Sequence, residues 1–131
     1  MYRILLAGDD LRLLETRAAV LGRTGSVVRW AMRMEVELSL REEHFDLLIL
    51  CHTLSTEQRE KLTAFARQRW SKIYILQLVA TIFEEQTADG KSDVRMSSCE
   101  PHQLVCRTEM LLKEIPTPLS QPRLFIQQSA G

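Results

Sequence analysis

At 131 residues the chain has room for one domain with a sizeable core and not for two. Hydrophobic residues at 45% and charged residues at 26% exclude wholesale disorder. Lys plus Arg and Asp plus Glu number 17 each, so the formal net charge is zero and the basic excess of a phosphate-gripping nucleic-acid binder is missing.

In chain order, Ile4 to Ala7 is a strand candidate, closed by Gly8 and the acidic pair Asp9-Asp10. Leu11, Leu14, Ala18 and Leu21 recur at helical spacing, with an Asp ahead to cap the first N–H groups. Gly22 and Gly25 then open a turn. Val27 to Trp30, β-branched and aromatic, is a second strand, and Met34 to Glu43 reads as a helix. The nearly continuous apolar run from Asp46 to Cys51 fits a central strand covered on both faces, as a parallel sheet requires. Ser55-Thr56-Glu57-Gln58 has the form of a capping box and opens a helix to about Trp70. Ile73 to Val79 is a fourth strand, and Thr81–Thr87 a short helix or loop. After Gly90 a fifth strand is expected near Asp93–Met96, and Pro101 suits the first turn of a last helix from about Glu100 to Glu114.

Short strands alternating with helices predict an α/β fold: one doubly wound, five-stranded parallel sheet with helices on both faces, of flavodoxin-like shape. The domain is expected over residues 1–115. The tail 116–131, with Pro116, Pro118 and Pro122 among Ser, Thr and Gln, is expected to be a loose arm in which Leu124-Phe125-Ile126 has no obvious docking place. No apolar run reaches the length of a membrane span, and the N-terminus turns acidic too soon for a secretion signal. Cys51, Cys99 and Cys106, odd in number and without a Cys-x-x-Cys, read as reduced thiols in a cytoplasmic protein.

Ligands of open α/β sheets sit beyond the carboxyl ends of the strands. Those ends carry Asp9 and Asp10, Cys51 and His52, Gln77, and the Ser97-Ser98 region. In its order and separations the chain from 1 to 115 resembles the response-regulator receiver family, the phosphoacceptor domains of two-component signalling. The resemblance is carried by Ile4-Leu5-Leu6-Ala7-Gly8-Asp9-Asp10, by Phe45-Asp46-Leu47-Leu48-Ile49-Leu50 and by Gly90–Pro101.

The resemblance implies a magnesium ion at the acidic pair, matched by Asp9 and Asp10, whose carboxylates are suitable hard donors. It also implies four departures. Cys51 stands where the family has its phosphorylated aspartate, Gln77 where a Ser or Thr contacts the phosphoryl group, Ser97 where a Lys neutralises it, and Val94 where an aromatic ring moves on activation. A thiol does not form the acyl phosphate and is a poor magnesium partner. The expectation is therefore a degenerate receiver, not an enzyme, with no cofactor beyond magnesium as a candidate at Asp9 and Asp10. It would act through protein partners, or as a homodimer through the region Thr81–Glu114, with no nucleic acid or membrane bound. Leu104, Leu111 and Ile115 lie along one line of the last helix within that region.

The other reading is a small flavodoxin-like enzyme, or a ligand- or metal-binding domain using the cleft at Asp9, Asp10 and Cys51. Asp9, Asp10, Cys51 and His52 include zinc-ligand types, and an imidazole near Cys51 would activate its thiol. Adjacent strand residues point to opposite faces, however, so Cys51 and His52 need not meet. No Gly-rich phosphate loop, P-loop or GxSxG motif supports that alternative. The basic residues Arg59, Lys61, Arg67, Arg69 and Lys72 interleave with Glu57 and Glu60 and read as a solvated helix face.

Overall fold

A computed structural model describes residues 1–80 and 94–115. The expected helix or loop at Thr81–Thr87, the turn at Gly90 and the arm from residue 116 lie outside the described residues.

The elements are β1 (Arg3–Gly8), α1 (Leu11–Leu21), β2 (Val27–Met32), α2 (Val36–Glu42), β3 (Leu47–Leu50), α3 (Thr56–Arg69), β4 (Tyr74–Val79), β5 (Arg95–Ser98) and α4 (Pro101–Glu114). The strands form one five-stranded sheet in the order β2-β1-β3-β4-β5. Every neighbouring pair is parallel. This is the expected α/β architecture, with strand order reversing beside β1.

Strand alternation divides the core in two. Ile4, Leu6, Leu47, Ile49, Leu76 and Leu78 face α1 and α4, where Leu14, Leu21, Leu104 and Leu111 meet them. Leu5, Leu48, Leu50 and Ile75 face the opposite way, toward Val36 and Leu40 of α2 and Leu62 and Ala66 of α3. All four residues of β3 are buried, as a central strand covered on both sides must be. The line Leu104, Leu111 and Ile115 is spent on this core and is buried throughout.

The opposite, N-terminal edge is locked by Asp46. Its buried carboxylate accepts from the Arg3 backbone N–H at 2.8 Å, and its own N–H donates to the Arg3 carbonyl at 2.8 Å. This pins the start of β1 to that of β3 and fixes the count of residues along both strands. At the same end Trp70 Nε1 donates to the Leu40 carbonyl at 2.7 Å, tying the end of α3 to α2. The capping box of α3 forms as its sequence requires, with Ser55 and Gln58 exchanging side-chain and backbone bonds.

Two local differences from expectation matter. The segment before α2 is a 3₁₀ turn over Arg33–Glu35, so the α-helix starts at Val36 and not at Met34. β5 runs Arg95–Ser98, two residues later than the expected Asp93–Met96, because Leu76 pairs with Arg95 and Val79 with Ser98. Among the described residues no helix is long and apolar enough to cross a membrane.

Candidate functional site at the carboxyl edge of the sheet

Beyond β1 the two acids part. Asp10 is the N-cap of α1: its backbone is extended, and Oδ1 accepts from the Leu13 N–H at 3.2 Å. Asp9 is exposed, its N–H donates to Thr53 Oγ1 at 3.0 Å, and its Oδ2 lies 3.5 Å from Arg33 Nε. One carboxylate thus serves the helix and the other faces an arginine. Gly8, the last residue of β1, lies against the segment that follows β3. A Cβ there would stand 3.2 Å from both Cys51 Cβ and Thr53 Oγ1, and 3.1 Å from Leu14 Cδ2. A side chain here would need its neighbours to give by a few tenths of an ångström.

Cys51 follows β3 at 1% exposure, on the face toward α1 and α4. Its N–H donates to the Ala7 carbonyl at 2.8 Å. Burial pushes the thiol pKa above its ordinary value, opposed by the charge and hydrogen bond of Arg17. Arg17 sits on the inner face of α1 at 8% exposure, and its Nη1 has no hydrogen-bond partner among the described residues. The thiol is held neutral, with a buried cation behind it.

Gln77 and Ser97 lie on opposite sides of the sheet. Gln77 pairs with Leu50 in register and, by alternation, faces away from Leu76 and Leu78. It lines a groove beside Thr56, Arg59 and Thr63 of α3. Ser97 pairs with Leu78 within β5, so it shares the Cys51 face; it is fully buried and its Oγ donates to the Ser98 carbonyl at 3.0 Å. Val94 packs against the α2/α3 core. Asp9, Asp10, Cys51 and Ser97 therefore lie along one edge, while Gln77 turns to the far side.

Two residues that sequence reading did not combine meet here. His52 does not turn to Cys51; its Nδ1 lies 3.1 Å from the Sγ of Cys99, 47 residues away. The Cys99 thiol donates to the Val79 carbonyl at 3.2 Å. Nothing local signals this contact, since the crossing from β3 to the end of β5 exists only in the fold. Arg17 did leave a signal: Leu14, Arg17, Ala18 and Leu21 share one helical face, so the guanidinium had to enter the core.

For a magnesium ion the donor set is a poor fit. It offers one capping carboxylate, one carboxylate facing Arg33, and a soft buried thiol with a guanidinium behind it. Among the described residues no three His, Cys, Asp or Glu side chains group as metal ligands.

No protein-family model matches the chain, and no curated protein sequence matches it. Solved structures do. A response regulator receiver domain protein (CheY-like) from Methanospirillum hungatei JF-1 aligns over 87% of this chain and 95% of its own, with TM-score 0.67 and 20% identity. A response regulator from Desulfuromonas acetoxidans aligns over 88% and 99%, with TM-score 0.70 and 18% identity. A putative pilus assembly protein from Burkholderia thailandensis E264 aligns over 86% and 99%, with TM-score 0.65 and 18% identity. At these identities the likeness is one of fold. The chain from β1 to α4 has the CheY-like receiver fold, a flavodoxin-like sheet wrapped by helices on both faces.

Proposed function

We propose that this domain works in signal transduction as a receiver-like module that takes no aspartyl phosphate and acts by protein–protein contact. The observation that carries the reading is the thiol of Cys51, sealed at 1% exposure at the carboxyl end of the central strand. Phosphoryl transfer at that place needs an ionised carboxylate as acceptor, a divalent cation to gather the oxygens, and a cation to meet the new charge. The acceptor is a thiol kept protonated by burial. The acids beside it are engaged with a helix end and with Arg33. Ser97 brings a hydroxyl bonded to its own neighbour where a side-chain cation would serve, and Gln77 faces α3.

Without that chemistry the domain is a binding module and not an enzyme. Its contacts are drawn from the region Thr81–Glu114, of which residues 94–114 are described. The outward face of α4 presents His102, Cys106 and Met110, the last 60% exposed, since the helix's inner line is spent on the core.

The test is intact-mass measurement after incubation with acetyl phosphate and magnesium. The expected outcome is an unchanged mass. A hydroxylamine-sensitive gain of one phosphoryl group would overturn the reading.

A further inference from the structure

The contact between Cys99 and His52 goes beyond that reading and stands whether or not it holds. We propose that Cys99, with His52 as its base, is a site of reversible oxidation by hydrogen peroxide or another small hydroperoxide, and that its oxidation state alters what this edge of the domain binds.

Three observations carry the proposal. The sulfur and the ring nitrogen are 3.1 Å apart, brought together by the fold from β5 and from the loop after β3. Cys99 is half-buried, so a small peroxide can reach it, whereas Cys51 is sealed. On the same side of the sheet lies Arg17, nine-tenths buried and with Nη1 unpartnered among the described residues. Cys106 contrasts with Cys99: it is exposed on mid-helix, with His102 Nε2 at 3.8 Å.

The chemistry balances as follows. The thiol turns from the Val79 carbonyl to His52, which takes its proton, and the thiolate attacks one oxygen of the peroxide. The O–O bond breaks, the departing hydroxide takes the proton back from the imidazolium as water, and sulfur gives up two electrons to become a sulfenic acid. Cys51 is a poor resolving partner. β3 and β5 flank β4, and strands about 4.8 Å apart place the two α-carbons roughly 9–10 Å from each other, beyond the ~7 Å a disulfide spans. The sulfenic acid therefore condenses with an external low-molecular-weight thiol, releasing water and leaving a mixed disulfide. That adduct sets a bulky group between the loop after β3 and the start of α4.

The experiment is dimedone trapping on the full chain exposed to limiting hydrogen peroxide, read by peptide mass spectrometry. Cys99, with a ring nitrogen 3.1 Å from its sulfur against 3.8 Å at Cys106, is expected to label about tenfold faster than Cys106. The preference should vanish in urea, where the pair is lost. His52→Asn should slow labelling at Cys99 by a similar factor and leave Cys106 unchanged. Should that variant fail to fold, the native-to-urea comparison on the unaltered chain decides alone. Labelling of Cys106 ahead of Cys99, an unchanged Cys99 rate in folded His52→Asn, or a Cys51–Cys99 disulfide as the product would each overturn the proposal.

Discussion

Arg17 on the inner face of α1 is buried on the side of the sheet that Cys51 faces, its charge works against the burial that raises the Cys51 thiol pKa, and its Nη1 has no hydrogen-bond partner among the described residues. A buried cation with an unpartnered N–H beside a neutral thiol retains attraction for an anion, and burying it so carries a desolvation cost.

Restoring a carboxylate should use that attraction. Cys51→Asp is expected to pair with Arg17, and a double-mutant cycle of Cys51→Asp with Arg17→Met should give a coupling of about 2–3 kcal/mol. Urea unfolding of the four proteins measures it. A coupling near zero would mean that the guanidinium does not serve this position.

The acidic pair should divide by role. Asp10→Ala removes the N-cap of α1 and is expected to cost about 1 kcal/mol. Asp9→Ala removes only an exposed contact with Arg33 at 3.5 Å and should fall within ~0.5 kcal/mol of the parent. Equal losses from the two substitutions in chemical denaturation would contradict this division.

Gly8→Ala tests the close approach of β1 to the loop after β3. The added methyl meets Leu14 Cδ2, Cys51 Cβ and Thr53 Oγ1 at 3.1–3.2 Å. Leu14 can turn its side-chain end aside, but Cys51 Cβ is fixed to the strand end, so a loss of about 1–3 kcal/mol is expected. A variant with the parent's urea midpoint would show that this corner is loose.

Cys51 also predicts an alkaline limb. Burial raises its folded pKa above the ordinary 9.0, so the unfolded chain gives up this proton first. The contribution is complete below the unfolded value and is lost as pH rises through the folded one, at a slope of at most ~1.4 kcal/mol per pH unit. The stability difference between the parent and Cys51→Ala should therefore shrink between about pH 8 and pH 10. A difference independent of pH would place the thiol in a solvated site.

Much of this was legible in the residues. The apolar run from Leu47 to Leu50 announced a strand covered on both faces, and the Ser55–Gln58 capping box forms as written, because each signal is local and is enforced by burial or by unpaired N–H groups. β5 was misplaced by two residues because Arg95-Met96-Ser97-Ser98 carries no apolar alternation; its register comes from β4, not from its own sequence. That shift places Ser97 inside the strand and under the core. The pairing of His52 with Cys99 had no local signal at all, being a product of sheet order.

The central claim is that the edge at Asp9, Asp10 and Cys51 does not host a phosphoryl group. Beryllofluoride with magnesium, titrated into isotope-labelled protein and followed by amide chemical shifts, tests it most directly. The account predicts no saturable perturbation at Asp9, Asp10 or Cys51; a saturable, magnesium-dependent shift centred on those three residues would contradict it.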